Sequence, residues 1–134
     1  MKPRPGALVL LFGLTADQEK LVRITGLKWG LRCRAVPSTQ YETPLDQLVA
    51  NQPSEVLYEG DVPATQALLL SGIPGSILTP FLQQLRKAGL PTSVLKAILT
   101  PDNRHWTPLA LLDELTKERD AIAAGQSPAH GQPS

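Results

Sequence analysis

The sequence predicts a small α/β protein: a four-stranded sheet built from two βαβ halves, with helices on both faces and a C-terminal helix. Three observations predict it. Apolar runs and amphipathic stretches alternate along the chain as β, α, β, short α, β, α, β, α, the order of a layered α/β structure. Thirteen prolines leave one long proline-free window, Gly6 to Val36, which is 31 residues and about the size of one βαβ unit. A uniform offset of 59 superposes Leu10, Leu11, Gly13, Leu14, Lys28, Gly30 and Leu31 on Leu69, Leu70, Gly72, Ile73, Lys87, Gly89 and Leu90, as an internal repeat would.

The first strand is the continuous apolar run Ala7 to Phe12, which reads as buried on both faces. Gly13 ends it. Thr15 followed three residues later by Gln18 is a capping box, so a helix starts there and runs to about Trp29. Gly30 stops it by taking a left-handed conformation. Gly26 inside this helix costs about 1 kcal/mol relative to Ala. Leu31 to Val36 is a second strand near a sheet edge.

Residues 37–66 contain Glu42, Asp46, Glu55, Glu59 and Asp61 and no Lys or Arg, an acidic connection between the halves. Thr43 and Pro44 mark the start of a short helix over 43–50, with Thr as N-cap and Pro at the first helical position. The same pair recurs at Thr79-Pro80 and at Thr107-Pro108. Ala67 to Leu70 is the third strand, a helix follows to Ala88, and Val94 to Leu99 is the fourth strand. Leu109, Leu112 and Leu115, with Leu111 and Ile122 alongside, give the final helix its apolar stripe, and Asp113 and Lys117 form an i,i+4 pair opposite.

These elements place one domain over residues 1–122: a first βαβ unit at 6–36, the connection at 37–66, and a second unit with the C-terminal helix at 67–122. Residues 123–134 lack apolar periodicity and are expected to be disordered. Two sheet topologies fit. The two-sided apolar strands favour a parallel, flavodoxin-like sheet, and the duplication favours a ferredoxin-like, antiparallel one.

Composition excludes several function classes. The 13 basic and 12 acidic residues give a net charge of +1, against a strongly basic nucleic-acid binder. The balance hides an asymmetry: residues 1–36 carry seven basic and two acidic side chains, and the remainder six and ten. The lone Cys33 excludes a disulfide framework, and the longest apolar runs are too short to span a bilayer. With no cleavage-site pattern behind Met1 to Gly6, a cytoplasmic location is expected.

Candidate chemistry concentrates at Leu99 to Trp106, between the last strand and the last helix, where α/β proteins place binding groups. Thr100, Asn103, His105 and Trp106 are expected to line a pocket with Ser71 and Gly72; Gly13 joins them only in the parallel topology. Against this stands a structural role, with Asn103 fastening the turn and Trp106 anchoring the final helix. Cys33 reads as a buried thiol, although Arg32 and Arg34 beside it could make it reactive. His105 and His130 are the only histidines, too few for a common metal site or a Ser-His-Asp constellation. Gly72, Gly75 and Ser76 could cradle an anion, but no phosphate-binding glycine pattern is present.

The run LKAILTPDNRHW, Leu95 to Trp106, with the helix after it resembles the signature of a bacterial family of uncharacterised proteins, known only as a domain of unknown function. The resemblance covers Gln66 to about Ile122, and Leu99, Thr100, Pro101, Asn103 and Trp106 match an L-T-P-x-N-x-x-W pattern. Asp102 stands where a Thr or similar residue is expected. The segment AVPSTQYETPL also resembles the amino-terminal part of longer members. The family implies no activity, catalytic residue, cofactor or metal.

The leading expectation is therefore a non-enzymatic protein that binds a protein partner or small ligand through the Thr100–Trp106 loop. An enzyme using Cys33 or the Asn103 and His105 pair is the alternative from another class. A third is weak nucleic-acid binding through Lys20, Arg23, Lys28, Arg32 and Arg34, which lacks aromatic platforms beyond Trp29. A homodimer would let the basic and acidic parts of two copies meet.

Overall fold

The computed structural model describes residues 7–125. Its first strand, β1 (Leu8–Phe12), is buried at every residue. Val9 and Leu11 enter one core layer while Leu8, Leu10 and Phe12 enter the other, which is why the run is apolar without alternation. Helix α1 (Ala16–Leu27) begins at the expected capping box: Thr15 Oγ1 accepts from Gln18 N at 3.2 Å, and Gln18 Oε1 accepts from Thr15 N at 2.8 Å. It ends two residues before Trp29, and Gly30 adopts φ +67°. Gly26 is there for close packing, since a Cβ would lie 3.3 Å from Leu31 Cβ and 3.6 Å from Cys33 Sγ. Strand β2 (Arg32–Ala35) then pairs parallel to β1 at one edge of the sheet.

A 3-10 turn (Ser38–Gln40) and the short helix α2 (Leu45–Val49) lead to β3 (Gln66–Ser71), α3 (Gly75–Lys87), β4 (Val94–Ile98) and α4 (Pro108–Ala123). The strand order is β2-β1-β3-β4, with β3 and β4 parallel and β1 and β3 antiparallel. Each half is thus a parallel pair, and the halves meet antiparallel at the centre. The mixed sheet differs from both expected topologies: it is not parallel throughout, and its halves sit side by side instead of interleaving. For the same reason α2 does not cross between parallel neighbours.

The repeat is visible in the fold. Leu10 faces Leu69 across the central pair, while Leu8 faces Ser71 and Phe12 faces Ala67. The offset of 59 maps Leu8 to Ala67, Leu10 to Leu69 and Phe12 to Ser71, so a two-fold through the Leu10–Leu69 pair relates the halves. Gly13 and Gly72 share φ +72° and +66°, and Gly30 and Gly89 share φ +67° and +103°. The correspondence ends after Leu90: Leu10 pairs with Arg34 but Leu69 with Ala97, an offset of 63, because four extra residues, Pro91 to Val94, stand between Leu90 and Leu95.

Two layers cover the sheet. On one face α1 and α3 bury Val22, Ile77, Phe81 and Leu85 against Val9, Leu11, Leu68 and Leu70. On the other, Tyr41, Leu45, Leu48, Leu111 and Leu112 pack on Leu8, Leu10, Phe12, Ala67 and Leu69. Two Thr-Pro starts are corrected here. Thr43 does not cap α2; it is fully buried and its Oγ1 accepts from Ser54 N at 3.1 Å, while Pro44 holds the cap position. Thr79-Pro80 lies inside α3, which starts after Pro74. Burying Ile77, Phe81 and Leu85, each worth about 1.5–3 kcal/mol, outweighs the roughly 3 kcal/mol cost of an interior proline.

Thr107 does cap α4, accepting from Ala110 N at 3.3 Å with Pro108 in the first turn. That helix runs through Ala123. The remaining residues expected to be disordered, 126–134 with His130, lie outside the described ones, as do Lys2 and Arg4.

Candidate functional site

The β4–α4 connection is organised by Asn103. Its Oδ1 accepts from Thr100 N at 2.8 Å, its own N–H donates to Thr100 Oγ1 at 3.1 Å, and its Nδ2 donates to Ile98 O at 3.0 Å. Thr100 O also accepts from Arg104 N at 3.0 Å. Pro101, with its fixed φ, sits between the two reciprocal partners. The residues Thr100, Pro101 and Asn103 therefore form a self-closing turn, in which the Asn103 side chain is committed on both its oxygen and its nitrogen.

The turn abuts a cleft at the carboxyl ends of the parallel pair β3 and β4. Leu70, Gly72, Ile73, Pro74, Gly75, Leu78 and Ile98 enclose about 310 Å³ there. Leu99 N donates to Leu70 O at 2.9 Å, which fixes the turn beside Gly72. Ser71 is buried at the end of β3, opposite Leu8. Ile98, 52% exposed on the edge strand, forms one wall. Of the expected pocket residues the structure brings Gly72 to the cleft lining; Ser71, Thr100 and Asn103 do not line it, and Asn103 reaches it only through its bond to the Ile98 carbonyl.

His105 and Trp106 go elsewhere. Trp106 packs into the core layer beneath α2 and α4, and its carbonyl accepts from Leu45 N at 2.8 Å. Arg104 O accepts from Asp46 N at 2.9 Å. These carbonyls satisfy the first two amides of α2, the task Thr43 was expected to perform. His105 Nδ1 lies 3.5 Å from Asp46 Oδ2, and its Nε2 accepts from Arg104 Nε at 3.2 Å. His105 and Trp106 bolt the loop to α2, so the six expected pocket residues divide between two faces.

The other candidates acquire specific surroundings. Burial raises the Cys33 thiol above its ordinary pKa, and the nearby Arg23 guanidinium opposes this with a smaller effect. The neighbouring arginine is therefore Arg23, whose Nη1 donates to Cys33 O at 2.7 Å; strand alternation turns Arg32 and Arg34 to the opposite face. Arg34 Nη1 donates to Leu48 O in α2. Trp29 meets Phe81 edge-on at 6.1 Å and carries Lys28 Nζ 5.2 Å from its ring centroid. Gly13 lies at the sheet edge opposite Gly72, because β1 runs against β3; its carbonyl accepts from Gln66 Nε2 at 3.0 Å. Among the described residues no group of three or more His, Cys, Asp or Glu is positioned to hold a metal ion.

Ile98, Ile73 and Leu78 were missed as cleft residues from sequence. Their apolar character was assigned to strand and helix periodicity, and only the position of Ile98 at the end of the last strand hints at the cleft.

The fold and this edge define a small α/β domain with a cleft at the carboxyl ends of a parallel strand pair. A model of a family described as a domain of unknown function (DUF3783) matches residues 66–122, from the first residue of β3 into α4. No curated protein and no solved structure gives a match. No helix among the described residues is long and apolar enough to cross a membrane.

Proposed function

We propose that this chain is a non-enzymatic, cytoplasmic bacterial binding domain, marked by the L-T-P-x-N-x-x-W pattern, that takes a small ligand or partner side chain in the β3–β4 cleft. The observation that carries it is the half-exposed Ile98 forming the wall of a cleft of about 310 Å³ beside Gly72. Open α/β sheets bind at the carboxyl ends of their parallel strands, and ligand clefts are lined mainly by apolar groups with a few polar ones. The internally committed side chain of Asn103 and the Cys33 thiol, whose pKa burial raises, support binding over catalysis by those residues. Thr100 and Asn103 act in this reading as the turn that holds Ile98 in place, and Gly72 as part of the lining.

The test is an amide chemical-shift screen of the full chain with a library of small amphiphilic fragments. Shifts concentrated at Gly72, Gly75 and Ile98, and lost in Ile98→Lys, support the proposal. Hits that leave those amides unmoved contradict it.

A further inference from the structure

The charge asymmetry of the chain becomes spatial in the fold. Residues 20–36 hold Lys20, Arg23, Lys28, Arg32 and Arg34 and no acid, and residues 42–61 hold Glu42, Asp46, Glu55, Glu59 and Asp61 and no base. Lys20 and Arg23 lie in α1 and Lys28 caps its C-terminal end, and Val22 of this helix enters the core layer shared with α3. The acidic segment packs on the opposite layer through Leu45, Leu48 and Tyr58. The sheet stands between the two, so the α1 cations cannot be neutralised by the segment of their own chain.

Each charged region also exposes apolar side chains. On α1, Ile24 is 57% and Leu27 72% exposed, and they line a groove of about 280 Å³ with Arg23, Leu31 and Cys33. On the other face residues 51–65 form a strap without helix or strand, from which Val56, Leu57 and Val62 project at 64%, 60% and 55% exposure. The strap is anchored: Ser54 N donates to Thr43 Oγ1, Tyr58 N donates to Thr39 O at 2.9 Å, and the Tyr58 hydroxyl donates to Asp61 O. Val56 and Leu57 are thus presented between two fixed points, flanked by Glu55 and Glu59.

We infer that the occupant of the α1 groove is the strap of a second copy of this chain, with Val56 and Leu57 against Ile24 and Leu27 and the strap carboxylates facing Arg23 and Lys28. Because groove and strap lie on opposite faces, the contact is heterologous and the copies stack front to back. Apolar patches rimmed by charge mark such contacts, and the charge complementarity sets their orientation.

The test is sedimentation velocity of the full chain over a concentration series, with two surface variants. Leu27→Glu disables the groove and leaves the strap; Leu57→Lys disables the strap and leaves the groove. Wild type is expected to show a weight-average mass rising with concentration above the 14.5 kDa monomer, and to return to monomer in about 1 M salt, where charges are screened beyond roughly 3 Å. Each variant alone stays monomeric, and an equimolar mixture reaches twice the monomer mass and no more. A wild type that stays monomeric, a variant that associates alone like wild type, or a mixture that stays at monomer mass overturns the inference.

Discussion

Replacing Asn103 by Ala tests how the β4–α4 turn is held. The substitution removes two side-chain hydrogen bonds, the 2.8 Å acceptance from Thr100 N and the 3.0 Å donation to Ile98 O. At a net 0.5–1.5 kcal/mol for a typical bond, and toward the lower half for a half-buried residue, the loss is about 1–2 kcal/mol. For a domain of this size that lowers the melting temperature by roughly 3–8 °C. Asn103→Asp separates the two contributions. It keeps an acceptor for Thr100 N but aims a carboxylate at the Ile98 carbonyl, so it too destabilises, through the second contact alone. Urea unfolding of the three proteins, followed by far-UV circular dichroism, reads the differences at constant m-value. If Asn103→Ala and Asn103→Asp both unfold within about 0.3 kcal/mol of wild type, the side chain does not fasten the turn.

Trp106→Ala should cost about 2–4 kcal/mol, below the usual range for a fully buried aromatic because this one is half-buried, and hydrogen exchange at Leu45 and Asp46 should accelerate as their carbonyl partners loosen. Gly13→Ala should destabilise by about 1–3 kcal/mol, since φ is +72° and the new Cβ meets Thr65 O at 3.3 Å. Gly75→Ala, with open space around it at the start of α3, should stabilise by about 0.4–1 kcal/mol in the same thermal melts. The raised Cys33 thiol means the folded chain retains a proton that the unfolded chain releases. Stability is therefore undiminished below the unfolded thiol pKa of about 8.5 and falls as pH rises past it; Cys33→Ala should flatten that alkaline slope in melts run from neutral to alkaline pH.

Local chemistry was legible where the sequence itself contains both partners. The Thr15–Gln18 capping box, the Thr107 cap with Pro108, and the doubly buried strand of Leu8–Phe12 follow from neighbouring residues. Thr43 and Thr79 show where such reading stops. The same Thr-Pro pair meets a distant amide at Ser54 in one case, and in the other lies within a helix sustained by Ile77, Phe81 and Leu85. Long-range packing decided both. Strand order was undetermined for the same reason, because Leu10 facing Leu69 is a pairing across the whole first half. The site was legible as a turn, since Thr100 and Asn103 are close in sequence. Its division between a cleft at Ile98 and a bolt at Trp106 depends on α2 and α3, which no local pattern ties to the loop.

A crystal structure of the full chain soaked with amphiphilic fragments tests the binding edge most directly. The β3–β4 cleft should hold fragment density in contact with Gly72 and Ile98, with the Thr100–Asn103 turn unmoved. Fragments that settle on other surfaces while this cleft stays empty would contradict the assignment.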